Sequence, residues 1–317
     1  MFLTKLAFKN LVRHRKRTLI TAYIIAFAIF YYIAFDSVIA GMTELSYQSI
    51  IDNEAGHLQL VTEEYWQEED ELPLENLFSV NQEMMSAVST VDSYQASSPE
   101  LSFQSRLNNG MNELPVVGKG VVPDRFTEVF DIEQQFVNGE MFSAGENRVV
   151  MGKGLADLMK LSVGDYIILL VKDKNNTFNT IEAEVSGLIH TGNPNVNRNI
   201  VYLPLDIVQQ ALNVDKQISK LIVRLEDKDL AVNTEKQIEE SFFHMGISGE
   251  NYLNVYRWDQ LEAVSVAGAK QAANNMIMFI ILLIAAIAII NMVILAALER
   301  MKEIGMMKAM GLKVKEI

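Results

Sequence analysis

Two long segments without a charged residue constrain this chain more than any other feature of its sequence. The first runs from Thr18 to Phe35 and can extend past Asp36 to Ala40, and the second runs from Met276 to Leu298. At 1.5 Å per helical residue the second is about 34 Å long, enough to cross a hydrocarbon core of about 30 Å. The pattern predicts transmembrane helices at 18–40 and 276–298, in preference to two buried helices of a soluble protein.

The first segment also has features of a secretory signal peptide, since a basic region precedes an apolar run. Its apolar run is longer than that of a usual signal peptide, and Ser37–Ala40 is a poor cleavage site. We therefore favour an uncleaved membrane anchor.

The charge changes sign at each apolar segment. The formal net charge is −13, which argues against a nucleic-acid binder, because such a protein needs a basic surface. The first 17 residues hold six Lys or Arg and no acid, 40–275 holds 16 basic and 36 acidic residues, and 299–317 holds five basic and three acidic residues. Positively charged flanks stay in the cytoplasm. We expect a protein of the inner (cytoplasmic) membrane with both termini cytoplasmic and 41–275 extracytoplasmic.

The N-terminal segment 1–17 is amphipathic when drawn as a helix. Its apolar residues recur at helical spacing: Phe2, Leu3, Leu6, Ala7 and Leu11. Lys5, Lys9 and Arg13 lie on another face. The pattern predicts an interfacial helix that binds membrane lipid, with a disordered basic tail as the alternative.

The extracytoplasmic part is predicted to be an α+β domain of two subdomains, which must rely on a hydrophobic core because the chain has no cysteine. Alternation predicts a strand at His57–Val61, and β-rich runs predict further strands at Val116–Val122, Arg148–Met151, Tyr166–Val171, Ile181–Ile189, Ile200–Leu203 and Lys220–Leu225. Helices are predicted at Asp124–Phe130, Gly154–Leu161, Leu205–Leu212 and Leu230–Phe243. We interpret the acidic stretch Glu63–Glu75 as solvated surface and Asn193–Pro194–Asn195 as a turn.

No catalytic constellation is present in the sequence. The histidines His14, His57, His190 and His244 are scattered, and no cysteine is available for a zinc site. Gly152–Lys153–Gly154 lacks the spacing of a phosphate-binding loop. We expect a non-catalytic chain without a cofactor or a metal.

The segment after the second span concentrates small and charged residues. Glu299 and Glu303 lie one helical turn apart, and so do Gly305 and Ala309. The small pair permits close approach of another surface. The cations Arg300, Lys302 and Lys308 can bind carboxylates or carbonyls of a partner. From Trp258 the sequence can run as one helix through the span, with Gly268 and Asn274–Asn275 as its weakest points.

This segment resembles a known family signature. The run Glu-Arg-x-Lys-Glu-Ile-Gly-x-x-Lys-Ala-x-Gly, 299–311, is similar to the sequence after the second transmembrane helix of FtsX-like, MacB-type ABC permeases, with Lys308 in place of the commoner Arg. Further similar segments are Glu54–Val61, Gly139–Phe142, Arg148–Gly152, Leu161–Asp165 and Trp258–Asp259. The arrangement without a fused ATPase is nearer the lipoprotein-releasing (LolC/LolE) branch than the macrolide pumps.

The resemblance implies a fold and a set of partners. The fold is two transmembrane helices flanking a large porter-like α+β domain, followed by a cytoplasmic coupling helix at 299–317 that docks on a separate ABC ATPase subunit. It implies ATPase contacts from Glu299, Arg300, Lys302, Glu303, Gly305, Lys308, Ala309 and Gly311.

A second permease copy or a homologous permease, a lipoprotein substrate and a periplasmic acceptor are the other partners implied. Members of the family continue into further helices, so we expect the chain to be C-terminally truncated. The alternatives are an FtsX-like regulator of an extracytoplasmic hydrolase and a membrane sensor with an extracytoplasmic ligand domain.

Overall fold

The computed structural model describes residues 15–245, 253–299 and 301–310. The chain divides into two compact units, a helical unit formed by 1–45 with 266–317 and a sheet unit formed by 46–265. The predicted interfacial helix at 1–17 lies outside the described residues, apart from its last three positions.

The described elements are numbered in chain order. The helices are α1 (Arg15–Ile50), α2 (Glu63–Gln67), α3 (Gln82–Ser89), α4 (Pro123–Val129), α5 (Lys153–Met159), α6 (Pro194–Asn199), α7 (Leu205–Ala211), α8 (Ala231–Met245), α9 (Glu262–Glu299) and α10 (Met301–Ala309). The strands are β1 (Leu58–Thr62), β2 (Phe78–Ser79), β3 (Tyr94–Asn108), β4 (Glu113–Val121), β5 (Phe136–Gly139), β6 (Arg148–Gly152), β7 (Tyr166–Lys172), β8 (Phe178–Ile189), β9 (Ile200–Pro204), β10 (Gln217–Ile218), β11 (Lys220–Leu225) and β12 (Leu253–Arg257).

The helices α1 and α9 contain the two apolar segments. Each is long and apolar enough to cross a membrane, and 0% of the apolar window of α1 and 6% of that of α9 is buried within the chain. Burial in a soluble core therefore does not account for their composition. The helix α9 is continuous through Gly268 and through the Asn274–Asn275 pair. It begins at Glu262 rather than at Trp258, which lies in a short 3₁₀ turn.

The large sheet combines an open part and a closed part. Its strand order is β12-β1-β11-β3-β4-β9-β6-β8-β5, and β7 pairs with both β3 and β8. The strands β3, β4, β9, β6, β8 and β7 consequently form a closed ring, and β11, β1 and β12 extend from the far half of β3 as an open sheet. The long strands β3 and β8 make this possible because each changes partners along its length.

Two hydrophobic cores lie on opposite faces of the sheet. Leu221 and Val223 belong to the larger core, whereas Ile222 between them belongs to the smaller one, as the alternation of side chains along a strand requires. Phe126 of α4 fills the smaller core beside Tyr202, with ring centroids 5.1 Å apart. Burial of these apolar side chains is the main stabilising contribution to a unit that has no disulfides.

The predicted α+β fold is confirmed, including the strands and helices predicted from Val116 onward. The acidic stretch 63–75 is mainly solvated surface, as predicted, with Glu64, Glu68, Asp70, Glu71 and Glu75 exposed, although Tyr65 is buried and Tyr256 donates a hydrogen bond to Glu63 at 2.5 Å. One local interpretation is wrong. The predicted turn at Asn193 is the cap of helix α6, because the Asn193 side chain accepts a hydrogen bond from the backbone N–H of Asn195.

Candidate functional site: the C-terminal helix and the polar face of the sheet

The helix α10 carries the predicted ATPase-contact segment. Gly305, Lys308 and Ala309 are exposed on it, and a Cβ added at Gly305 would meet no atom within 4 Å. The methionines Met301 and Met306 are 61% and 63% exposed. Methionine side chains adapt to the shape of a partner. The described part of this helix therefore presents small residues, flexible methionine side chains and the cation of Lys308.

The other predicted contact residues are described only in part. Glu299 is the last residue of α9, and Lys302 and Glu303 lie in the first turn of α10. Arg300 and Gly311 lie outside the described residues. The structure thus brings Gly305, Lys308 and Ala309 together on one short helix, as their spacing predicts.

Aromatic residues form a ladder along one face of α1. Tyr23, Phe27, Tyr31 and Phe35 follow one another every four residues, with ring centroids 6.1 to 6.4 Å apart. The neighbouring aromatics Phe30 and Tyr32 are also exposed. This face is open to lipid, to another helix or to an acyl chain.

The chain turns sharply where α1 enters the sheet unit. A π-helical turn, Ile51–Ala55, follows α1 and ends at Gly56, which has φ of 62°. A Cβ at Gly56 would lie 2.6 Å from Cγ2 of Ile222, so the turn requires glycine here. Two polar contacts fix the turn to the sheet unit: Arg224 donates to Asp52 at 2.5 Å, and Asn193 donates to Glu54.

Aromatic residues join the end of α1 to the segment before α9. The rings of Tyr47 and Trp258 lie 5.3 Å apart, and Leu261 and Val264 pack beside them. Trp66 stacks on Tyr256 with ring centroids 3.8 Å apart and an interplanar angle of 4°. Within the sheet unit, the two chain segments that lead to the apolar helices are thus held against each other.

His57 is buried immediately after this turn. Its Nδ1 accepts a hydrogen bond from the backbone N–H of Leu225 at 3.0 Å, which requires the neutral ring. Burial, and then the positive charge of Arg224, lower the pKa of His57 to about 4, against the opposing effect of Asp52 and Asp227. The residue is structural and carries no charge at neutral pH.

A row of buried polar residues crosses the sheet on the face of the smaller core. Lys119 of β4 donates to both carboxylate oxygens of Glu100 on β3, at 3.1 and 3.2 Å. Lys220 of β11 pairs with Glu69 and lies opposite Glu100 in the strand register. Ser102 donates to Glu100 at 2.9 Å. A buried carboxylate needs such partners to remain charged.

The pKa shifts of Lys220 and Glu69 follow from their ion pair. Burial lowers the pKa of the Lys220 ammonium, but the carboxylates of Glu69 and then Glu100 outweigh burial and raise that pKa above its usual value. Burial raises the pKa of Glu69, and Lys220 outweighs it and lowers that pKa. Both side chains are therefore charged at neutral pH. Sequence reasoning missed this row, although a lysine inside the apolar strand around Lys119 is a signal that could have indicated it.

The glycines around Lys153 serve packing. A Cβ at Gly152 would lie 2.3 Å from the carbonyl oxygen of Asn197, and one at Gly154 would lie 2.9 Å from the same atom. Lys153 pairs with Asp157 one turn further along α5. Close approach of α6 thus explains this Gly-Lys-Gly run without a phosphate ligand. Among the described residues, no group of three or more His, Asp or Glu side chains is placed to hold a metal ion.

The sequence matches two protein families and several characterised relatives. The lipoprotein-releasing system transmembrane protein LolC of Xylella fastidiosa (strain Temecula1 / ATCC 700964) is 20% identical over 213 residues, covering 65% of this chain and 50% of LolC. LolC of Neisseria meningitidis serogroup B (strain ATCC BAA-335 / MC58) is 24% identical over 228 residues, covering 68% and 53%. The chain spans about half the length of these relatives.

Solved structures of similar domains have low sequence identity to this chain. The extracellular domain of the noncanonic ABC-type transporter YknZ from Gram-positive bacteria superposes with a TM-score of 0.44 at 15% identity, covering 63% of this chain and 98% of that domain. The periplasmic region of MacB from Actinobacillus actinomycetemcomitans gives a TM-score of 0.46 at 14% identity, covering 71% and 96%.

Two protein-family models also match the chain. The MacB-like periplasmic core domain matches residues 18–241, and the FtsX-like permease C-terminal domain matches residues 275–317. The first match spans more than half of the sequence and the second contains α10. The chain therefore belongs to the family of ABC transporter permeases that join a MacB-like periplasmic core domain to an FtsX-like permease domain.

Proposed function

We propose that this chain is a membrane-spanning permease subunit that couples ATP hydrolysis by a separate ATPase to movement of its extracytoplasmic domain, for lipoprotein release or export. Its partners are an ABC ATPase, a second permease copy or a homologous permease, a lipid-modified protein and a periplasmic acceptor. In this proposal both termini are cytoplasmic, 18–40 and 276–298 cross the membrane, and 41–275 is extracytoplasmic.

The observation that carries the proposal is the exposed face of α10 within the FtsX-like segment. Gly305 and Ala309 lie one turn apart, a Cβ added at Gly305 would meet no atom within 4 Å, and Lys308 is exposed beside them. Such a face admits the close approach of another protein and supplies a cation to a carboxylate or carbonyl of that protein. We assign the ATPase contact to Glu299, Arg300, Lys302, Glu303, Gly305, Lys308, Ala309 and Gly311.

Contacts within the sheet unit support a path by which the proposed motion reaches the extracytoplasmic domain. In the turn that follows α1, the Asp52–Arg224 pair and the Glu54–Asn193 hydrogen bond hold the chain to the sheet unit. Tyr47 and Trp258 join the segments that lead to α1 and α9. A displacement of either segment would therefore be passed to the sheet by these contacts rather than lost in a flexible linker.

Co-purification tests the central claim. A tagged chain is extracted in detergent together with the ATPase encoded beside it, with residues 299–317 intact, deleted or scrambled in order. The scrambled variant is the matched control because it keeps the composition and the basic flank that orients the helix. We expect the ATPase to be retained only by the intact chain. Equal retention by the scrambled variant in a properly inserted chain would contradict the proposal.

The substrate needs a separate assay. Proteoliposomes that contain the complex and a lipid-modified protein are given ATP, and the release of that protein to a soluble acceptor is measured. We expect ATP-dependent release. Release that is absent while ATPase activity is stimulated would favour the FtsX-like alternative, in which the extracytoplasmic domain activates a hydrolase.

A further inference from the structure

The chain leaves helix α1 through a turn that holds one residue more than an α-helical turn. The backbone N–H of Gly56 donates to the carbonyl oxygen of Ile51, five residues back, at 3.0 Å. An α-helical turn would use the carbonyl oxygen of Asp52, four residues back. Such π-helical turns are rare and occur frequently at functional sites. The turn Ile51–Ala55 is therefore a departure from the regular helix that needs a physical reason.

The turn leaves two buried oxygens unpaired. Asn53 lies in the turn, and Nε2 of Gln59 donates to the carbonyl oxygen of Ala55 at 3.2 Å. Neither Oδ1 of Asn53 nor Oε1 of Gln59 has a hydrogen-bond partner among the residues that the structure describes, and both atoms are closed to solvent. Rotating the Asn53 amide by half a turn would not help, because its Nδ2 donates to the carbonyl oxygen of Ser49 at 2.9 Å. Unpaired buried acceptors are unfavourable, so the π-helical turn is maintained against a cost.

Two side-chain contacts oppose this cost. Arg224 donates to Asp52 at 2.5 Å, and Asn193 donates to Glu54. The side chains of Arg224 and Asp52 are 23% and 34% exposed, and an ion pair with that access to water contributes modestly to stability. This ion pair can therefore be broken at a small cost.

We propose that the turn Ile51–Ala55 is a conformational switch, in which a pull on α1 converts it from a π-helical to an α-helical turn. The N–H of Gly56 then bonds to the carbonyl oxygen of Asp52, and the end of α1 moves by one residue, about 1.5 Å along its axis and about 100° around it. The conversion carries Asn53 out of its buried position and so relieves its unpaired oxygen. The pull on α1 rests on the proposed function, whereas the switch itself belongs to the sheet unit.

Ser49 reports the register of α1 at this turn. A Cβ added at Gly192 would lie 3.7 Å from Cβ of Ser49, a separation that a disulfide can bridge. The chain contains no cysteine, so engineered pairs are unambiguous. In the observed register, Ser49→Cys should form a disulfide with Gly192→Cys. After a shift of one residue Ile50 occupies the place of Ser49, whereas Gln48 lies further away.

Disulfide formation in the full chain in detergent, started with copper phenanthroline, tests the switch without an ATPase. Ser49→Cys with Gly192→Cys is the reference for the observed register. Ile50→Cys and Gln48→Cys are each combined with Gly192→Cys. Both pairs carry Ser49→Ala, since the Ser49 hydroxyl would lie 2.8 Å from the new Cβ. We expect the Ile50 pair to form about tenfold faster than the Gln48 pair, although Gln48 is the more exposed residue. Equal rates would overturn the proposal, because fraying of α1 has no preferred register.

Substitutions in the turn should change the rate of the Ile50 pair in opposite directions. Asp52→Ala removes the ion pair and should speed the Ile50 pair about threefold, whereas Glu64→Ala, at an exposed acid outside the turn, should leave it unchanged. Asn53→Leu removes the unpaired oxygen that disfavours the π-helical turn and should slow the Ile50 pair about tenfold. Formation of the Ser49 pair in Asn53→Leu verifies that this variant folds. The proposal fails if Asn53→Leu leaves the rate unchanged, or if Asp52→Ala and Glu64→Ala behave alike.

Discussion

The ring of Tyr47, in the last turns of α1, lies 5.3 Å from the ring of Trp258, which precedes α9. The planes are tilted by 56°, a geometry in which the edge of one ring approaches the face of the other. This pair joins two segments that are distant in sequence, and it lies in the small apolar cluster that also contains Ala55, Leu261 and Val264.

A double-mutant cycle measures what this pair contributes. We expect Tyr47→Leu and Trp258→Leu to be coupled by about 0.5–1.5 kcal/mol in the free energy of unfolding, because an aromatic pair is stabilised beyond the area it buries. Urea unfolding of the full chain in detergent, followed by circular dichroism, gives the four values. Phe243, which is 72% exposed, is the control partner, and Phe243→Leu should add independently to Tyr47→Leu. Additivity of Tyr47 with Trp258 would show that the rings do not interact.

The buried pair of Glu100 and Lys119 gives a second prediction. Lys119→Met should lower the free energy of unfolding by about 3–5 kcal/mol, because it leaves the carboxylate of Glu100, which is 1% exposed, without its main partner. Adding Glu100→Gln should recover much of that loss, since the buried charge is then gone. The exposed pair of Lys153 and Asp157 is the control, and Lys153→Met should change stability by about 0.5 kcal/mol or less. Equal losses at the two sites would contradict a buried, paired carboxylate.

His57 makes stability depend on pH. Burial and Arg224 lower its pKa from 6.5 to about 4 in the folded chain. Between these two values the unfolded chain binds the proton and the folded chain does not, so stability rises with pH. The contribution is complete above pH 6.5 and is lost as the pH falls to about 4. It amounts to roughly 3 kcal/mol, since one pKa unit corresponds to about 1.4 kcal/mol.

The groups that face His57 are Arg224, Asp52 and Asp227, and the first disfavours its protonation. Urea midpoints measured at several pH values between 7 and 4 test the prediction. His57→Asn is the matched variant, because its amide oxygen can still accept the N–H of Leu225 but does not titrate. We expect the slope of stability against pH to be smaller in His57→Asn. An identical slope would show that other groups cause the acid sensitivity.

The proposed orientation is testable because the chain contains no cysteine. Single substitutions Met111→Cys and Met310→Cys place a thiol at positions that are 81% and 73% exposed, the first in the sheet unit and the second after α10. A membrane-impermeant maleimide should label Met111→Cys in intact spheroplasts and Met310→Cys only after the membrane is permeabilised. The reverse pattern would invert the proposed topology, and labelling of both in intact cells would place both segments outside.

The apolar helices and most strands could be predicted from the sequence because their signal is local. Short runs rich in β-branched and apolar residues identified β6, β7 and β11, and long uninterrupted apolar runs identified α1 and α9. The longest strand, β3, was missed. Ser97, Ser98, Glu100 and Ser102 are all buried in it, so its polar residues gave no alternation, and the cation that pairs with Glu100, Lys119, lies on β4.

The candidate sites also differ in how far they could be predicted from the sequence. The exposed residues of α10 follow from the spacing of Gly305, Lys308 and Ala309, because a short helix has local rules. The buried ion pairs could not be predicted, since Glu69 and Lys220 are 151 residues apart and meet only through the fold. Pairing across a sheet depends on strand order, which the sequence of a single strand does not encode.

The last prediction concerns Glu303, in the first turn of α10. Glu303→Lys should uncouple transport while leaving membrane insertion intact, because it reverses the charge of the proposed ATPase contact and adds a positive charge to a flank that is cytoplasmic in the proposed orientation. ATPase stimulation and lipoprotein release are measured on purified complex, with maleimide labelling of Met310→Cys to verify insertion. Glu240→Lys, an exposed position in α8, is the matched charge reversal and should retain both activities. If Glu303→Lys retains normal stimulation and release, α10 does not transmit ATPase motion through this residue, and the coupling assignment fails.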